Sequence, residues 1–116
     1  MDEQGVRRWV DWYIKAWNSN DPDDIVALFT EDARYYTEPH ARPWEGQKAI
    51  VKGWLERRDD PGTTTFDYRV ISIDRDIAIV KGEAIYTDPP KKYSNLWEIR
   101  FDEGRAREFV EWWMEQ

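Results

Sequence analysis

In YIKAWNSNDPDDIVALFTEDARYYT, residues 13–37, the rhythm of apolar side chains changes from one element to the next. Its opening residues finish a helix. Val6, Val10, Tyr13, Ile14 and Trp17 recur at helical spacing, and Arg7, Arg8, Asp11 and Lys15 fall on the opposite side. That pattern predicts an amphipathic helix over residues 2–18. The run NSND interrupts it, and DPDDIVALFTED opens a second helix. Asp21 suits its N-cap, Pro22 its first turn, and Asp24 sits at the capping-box distance, with Ile25, Leu28 and Phe29 as the apolar stripe. ARYYT then has the composition of a short strand.

Beyond this stretch lies a loop, YYTEPHARPWEG, that carries two prolines and the single histidine of the chain. GQKAIVKGWLERR reads as a third helix with Ala49, Ile50 and Trp54 on one side, and DDPGT as a turn. The rest is strand and turn. TTTFDYRVISID and DIAIVKGEAIYT flank a turn at Arg75, and YSNLWEIRFD and RAREFVEWWM flank DEG. The expected order is helix, helix, strand, helix, then a four-stranded meander. Helices gathered on one face of such a sheet make an α+β domain. A strongly curved sheet wrapped around such helices would leave a pocket between the layers. The chain forms one domain over residues 1–116.

Composition narrows the function. The chain has 116 residues and no cysteine, so disulfides and thiolate metal sites are excluded. One histidine and no clustered carboxylates give no metal-site pattern, and no cofactor is expected. No apolar run approaches a membrane span and the N-terminus lacks a signal-peptide core, so a soluble cytoplasmic protein is expected. A formal net charge of -7 argues against nucleic acid as partner. Aromatic residues make up 16% of the chain, with 8 tryptophans. Each indole carries an N–H that needs a partner, so some should line a concavity.

The runs YIKAWNSNDPDDIVALFTEDARYYTEP and WEGQKAI, together with the meander, resemble the nuclear transport factor 2-like superfamily over nearly the whole chain. That group includes ketosteroid isomerases, scytalone dehydratase and SnoaL-like polyketide cyclases. The resemblance implies a cone-shaped barrel, a strongly curved antiparallel sheet, mixed at its edge, around three N-terminal helices; one fold hosts unrelated activities. Within the group the N-terminal half is most similar to the ketosteroid isomerases. Those enzymes use a helix-1 tyrosine as oxyanion donor, a carboxylate before a proline as base and a protonated acid on a later strand. Tyr13 and Glu38, directly before Pro39, match the first two. One extra residue precedes that proline, so strand alternation points Glu38 outward and Thr37 inward unless a bulge absorbs it. Trp97 stands at the third position, so half of the oxyanion hole is absent and steroid isomerisation is not expected.

The candidate catalytic residues are therefore Glu38 and His40 for proton transfer, with Tyr13 as hydrogen-bond donor. Trp17, Tyr35, Trp54, Tyr86, Trp97 and Trp112 are the candidates for contact with a ligand. In IAIVKGEAIY both parities are apolar, Ile77, Ile79 and Ile85 on one and Ala78, Val80, Ala84 and Tyr86 on the other. A sheet apolar on both faces predicts a homodimer through its outer face. The expected function is a small-molecule pocket, acting as an isomerase, lyase or hydrolase by acid/base chemistry on an apolar or aromatic ligand. The alternative is a non-catalytic ligand carrier or dimerisation module of the same fold.

Overall fold

The structure, a computed structural model, describes residues 1–58, 63–87 and 90–116. The turn expected within residues 59–63 lies outside the described residues except for Thr63. Helix α1 runs Glu3–Ser19 and starts where the Asp2 carboxylate accepts the Gly5 N–H at 2.8 Å. It stops at Asn20, whose left-handed φ of 52° lets its N–H return to the Ala16 carbonyl. Its buried stripe is Val6, Trp9, Val10, Tyr13 and Ala16.

The second helix, α2, is only Pro22–Val26, and strand β1 begins at Phe29 and ends at Tyr36. The expected continuation to residue 32 fails because the Leu28 carbonyl is taken by other elements. The Ala106 N–H reaches it at 2.8 Å and the Trp9 indole at 2.9 Å. Asp21 caps the helix as expected, accepting the Asp23 N–H at 2.9 Å. The capping box does not form. Ser19 Oγ accepts from the Asp21 N–H and donates to Asp24 at 2.7 Å, so Asp24 is held from outside the helix.

Strand β2 (Trp44–Glu45) leads into α3 (Gly46–Glu56), and Gly46 occupies φ +84° at the junction, a region that L side chains rarely adopt. The meander follows as β3 (Thr64–Asp74), β4 (Ile77–Thr87), β5 (Pro90–Asp102) and β6 (Arg105–Glu115). Glu103 and Gly104 both take positive φ between β5 and β6, which a type I′ hairpin turn requires. The six strands lie in the order β2-β1-β6-β5-β4-β3, with β1 parallel to β6 and every other pair antiparallel. The sheet curls around the helices and does not close, so β2 and β3 are its edges.

Alternation on β5 places Asn95, Trp97, Ile99 and Phe101 inward. Ala78, Val80 and Ala84 do the same on β4. Trp9 sits among Tyr13, Phe29, Phe101 and Phe109, with ring centroids 5.6 to 6.1 Å apart. Aromatic pairs at such separations add to the area that they bury. No helix among the described residues is long and apolar enough to cross a membrane.

Candidate active site

A cavity of about 450 Å³ lies between α1, α3 and the concave face of the sheet. Tyr13 enters it from α1, Tyr35 from β1, Trp44 from β2 and Trp54 from α3. Ala84 and Tyr86 of β4, Lys91, Tyr93 and Asn95 of β5, and Glu111 and Trp113 of β6 supply the sheet wall. Tyr35 stacks between Trp44 and Phe109, at 5.0 and 4.7 Å. Gly53 makes this wall possible, since a Cβ there would run into the Trp44 ring.

The polar groups are few and convergent. The Tyr13 and Tyr35 hydroxyls lie 2.6 Å apart, and either can donate. Burial raises both phenols above their ordinary range, and the nearby Glu111 carboxylate pushes in the same direction. Both therefore stay neutral. Their shared bond uses one of two hydroxyl hydrogens, so the second remains for another acceptor.

Glu111 accepts the Trp97 indole N–H at 2.8 Å and the Asn95 amide N–H at 3.2 Å. Both land on Oε2; Oε1 takes neither. Burial raises the carboxyl pKa, and the two hydrogen bonds, which favour the anion, offset only part of that rise. The cavity reaches part of the side chain, so the residue is half-buried, while surrounding protein atoms still strip hydration from the carboxylate. Among the described residues, Asn95 Oδ1 is buried with no hydrogen-bond partner.

The expected site residues divide. Tyr13, Trp17, Tyr35, Trp54 and Tyr86 line the cavity. Trp97 packs behind the wall, fully buried, and touches the site through its N–H to Glu111. Trp112 is exposed on the outer face of the sheet. Glu38 is exposed and borders a separate hollow on that outer side, with Lys81, Leu96, Trp112 and Met114. His40 is exposed beside it in the turn closed by the Ala41 N–H on the Glu38 carbonyl. Thr37 faces the cavity instead. A register shift does occur in β1, between Phe29 and Arg34, but it lies before the extra residue and leaves the alternation at Thr37 and Glu38 unchanged.

Glu111, the carboxylate that does face the cavity, was missed. In FVEWW it shares parity with Phe109 and Trp113, so one apolar strand face carries a charge directly opposite Trp97. That inward charge is the signal that could have found it. Among the described residues no group of three or more histidines and carboxylates could hold a metal.

The fold matches many solved structures. A protein of unknown function from Burkholderia xenovorans superposes with a TM-score of 0.76 at 15% identity, covering 98% of this chain and 86% of that one. A proposed ketosteroid isomerase from Kribbella flavida gives 0.75 at 20% identity, covering 99% and 82%. An epoxide hydrolase/cyclase-like enzyme of pyran ring formation in the polyether salinomycin gives 0.75 at 21%, covering 97% and 93%. At these identities the likeness shows the fold alone. No curated protein matches the chain by sequence. The SnoaL-like domain model matches residues 6–109, from the first buried residue of α1 to the Phe109 wall of the cavity, and the chain belongs to that family.

Proposed function

We propose that this protein binds an apolar or aromatic small molecule in the inner cavity and acts on it by acid/base chemistry of the isomerase, lyase or hydrolase kind. One observation carries the reading: a hydrogen-bonded, desolvated carboxylate, Glu111, shares an aromatic-walled cavity with the neutral Tyr13–Tyr35 pair. A carboxyl whose pKa is raised toward the working pH can both give and take a proton. The free hydroxyl hydrogen of the tyrosine pair can stabilise negative charge that develops on a ligand oxygen. Glu111 is thus the proton-transfer group and the tyrosines are the donor. Glu38 and His40 take no part, because neither lines the cavity.

The relatives named for ketosteroid isomerase and for epoxide hydrolase/cyclase activity suggest two substrate panels, enolisable ketones and epoxides with aromatic or alicyclic bodies. Turnover is expected from one panel, with Glu111→Gln and Tyr13→Phe each lowering it by about 10²–10³. Saturable quenching of tryptophan fluorescence by the same compounds should survive both substitutions. Isomerisation of 3-oxosteroids is expected only at trace level, because Trp97 stands where the second oxyanion donor would be and gives its N–H to Glu111.

The exposed position of Glu38 favours a second reading, a non-catalytic carrier of the same fold. Ligand quenching with no turnover in either panel would select it. In either case the partner is a second copy of the chain, docked through the outer sheet face. Trp112 and Met114 are exposed there.

A further inference from the structure

The lining of the cavity is charged unevenly. Arg57 and Arg58, just past the end of α3, and Lys91, near the start of β5, all line it and all are exposed. Tyr13, Tyr35, Trp54 and Asn95 line it too, and these are buried. Among the described residues, the exposed part of the lining carries the cations and the buried part is aromatic and amide. Glu111 is the one carboxylate in the lining among the described residues, and burial favours its neutral form. Three cations therefore line the cavity of a chain whose formal net charge is -7.

The protein makes light use of these cations. Arg58 gives one N–H to the Leu55 carbonyl at 3.3 Å, and Arg57 lies over the Trp44 ring at 5.9 Å. Lys91 is 4.0 Å from Glu115, in a pair with both side chains about half exposed, a kind of contact that contributes little. The two arginines also offset the negative end of the α3 dipole. That role would need no contact with a ligand, so the test must separate the two.

We propose that the cavity takes an amphipathic organic anion. Its flat apolar body lies against Trp17, Tyr35, Trp44 and Trp54, and its oxyanion sits between Arg57, Arg58 and Lys91. Guanidinium groups match carboxylate and phosphate oxygens through paired N–H donors, and the ammonium adds a point charge. The proposal rests on the pocket reading above and deepens it by naming the ligand class.

Three probes of one shape decide it: 2-naphthoate, 2-naphthyl phosphate and the neutral 2-naphthalenemethanol, each titrated by tryptophan fluorescence. At least one anion is expected to bind roughly tenfold or more tightly than the alcohol. That advantage should shrink as salt rises and vanish in the Arg57→Ala/Arg58→Ala/Lys91→Ala variant, which should bind the alcohol as before. The anion that binds more tightly identifies the oxyanion, carboxylate or phosphate ester. Equal affinity for all three probes, or an anion preference that survives the triple substitution, overturns the proposal and leaves the pocket reading standing. Failure of every probe to bind overturns both. Should the variant not fold, the salt dependence of the unaltered protein decides alone: an anion advantage indifferent to salt rejects the cationic lining.

Discussion

Two hydrogen bonds favour the Glu111 anion, yet burial outweighs them and the carboxyl pKa rises. A carboxyl pKa above its unfolded value means that the folded protein holds a proton that the unfolded chain releases. Its contribution to stability is therefore full below the ordinary carboxylate pKa and is lost as pH rises through the folded value. Glu111→Gln should unfold at the same temperature as the parent below about pH 4, and at a higher temperature at neutral pH. Thermal melts across that range check it; parallel curves would reject a raised Glu111. The neighbouring Tyr13 and Tyr35 do not confuse the readout, because their pKa values lie above their ordinary range. Trp97→Phe removes a donor to the anion, so the Glu111 pKa should climb further, visible as a protonated-carboxyl infrared band that persists to higher pH. At this scale the sequence was half legible. Tyr13 could be placed by helical spacing, and parity alone would have placed Glu111. Glu38 drew attention because it precedes a proline, but the extra residue before it turned it outward.

At the scale of elements, the boundaries moved wherever a long-range partner claimed a backbone group. Nothing local in ALFTED ends a helix, and the stop comes from Ala106 and Trp9 on the Leu28 carbonyl. The two-residue strand β2 had no readable pattern because its pairing with β1 is tertiary. Helix α1 was legible because its apolar stripe is long and its stop residue, Asn20, is local. The α3–β2 contact yields a prediction of its own. Gly53→Ala should force the Trp44 ring off its seat, costing about 1–3 kcal/mol and loosening the stack on Tyr35. A lower melting temperature with altered near-ultraviolet dichroism is expected, and a variant matching the parent in both would refute the contact.

At the scale of the whole molecule, the outer sheet face carries Leu96, Trp112 and Met114 beside Lys81 and Glu38. Leu96 lies opposite Trp112 in the β5–β6 register and Ser94 opposite Met114, so these side chains form one patch. Glu38 and Lys81 border the same hollow, which gives a two-fold related copy opposite charges to pair. A dimer is expected in sedimentation at micromolar concentration, and Trp112→Lys should shift it to monomer. A monomeric parent chain would reject the interface. The sequence by itself determined three helices, strand β1, the four-stranded meander and the parity of β4, because periodicity and turn residues act over a few positions; the cone came from the family resemblance. The tertiary structure alone decided where α2 stops, that β1 runs parallel to β6, and that no bulge turns Glu38 into the cavity. Those outcomes depend on pairings between residues far apart in the chain, and on which way the strand faces once it reaches Pro39.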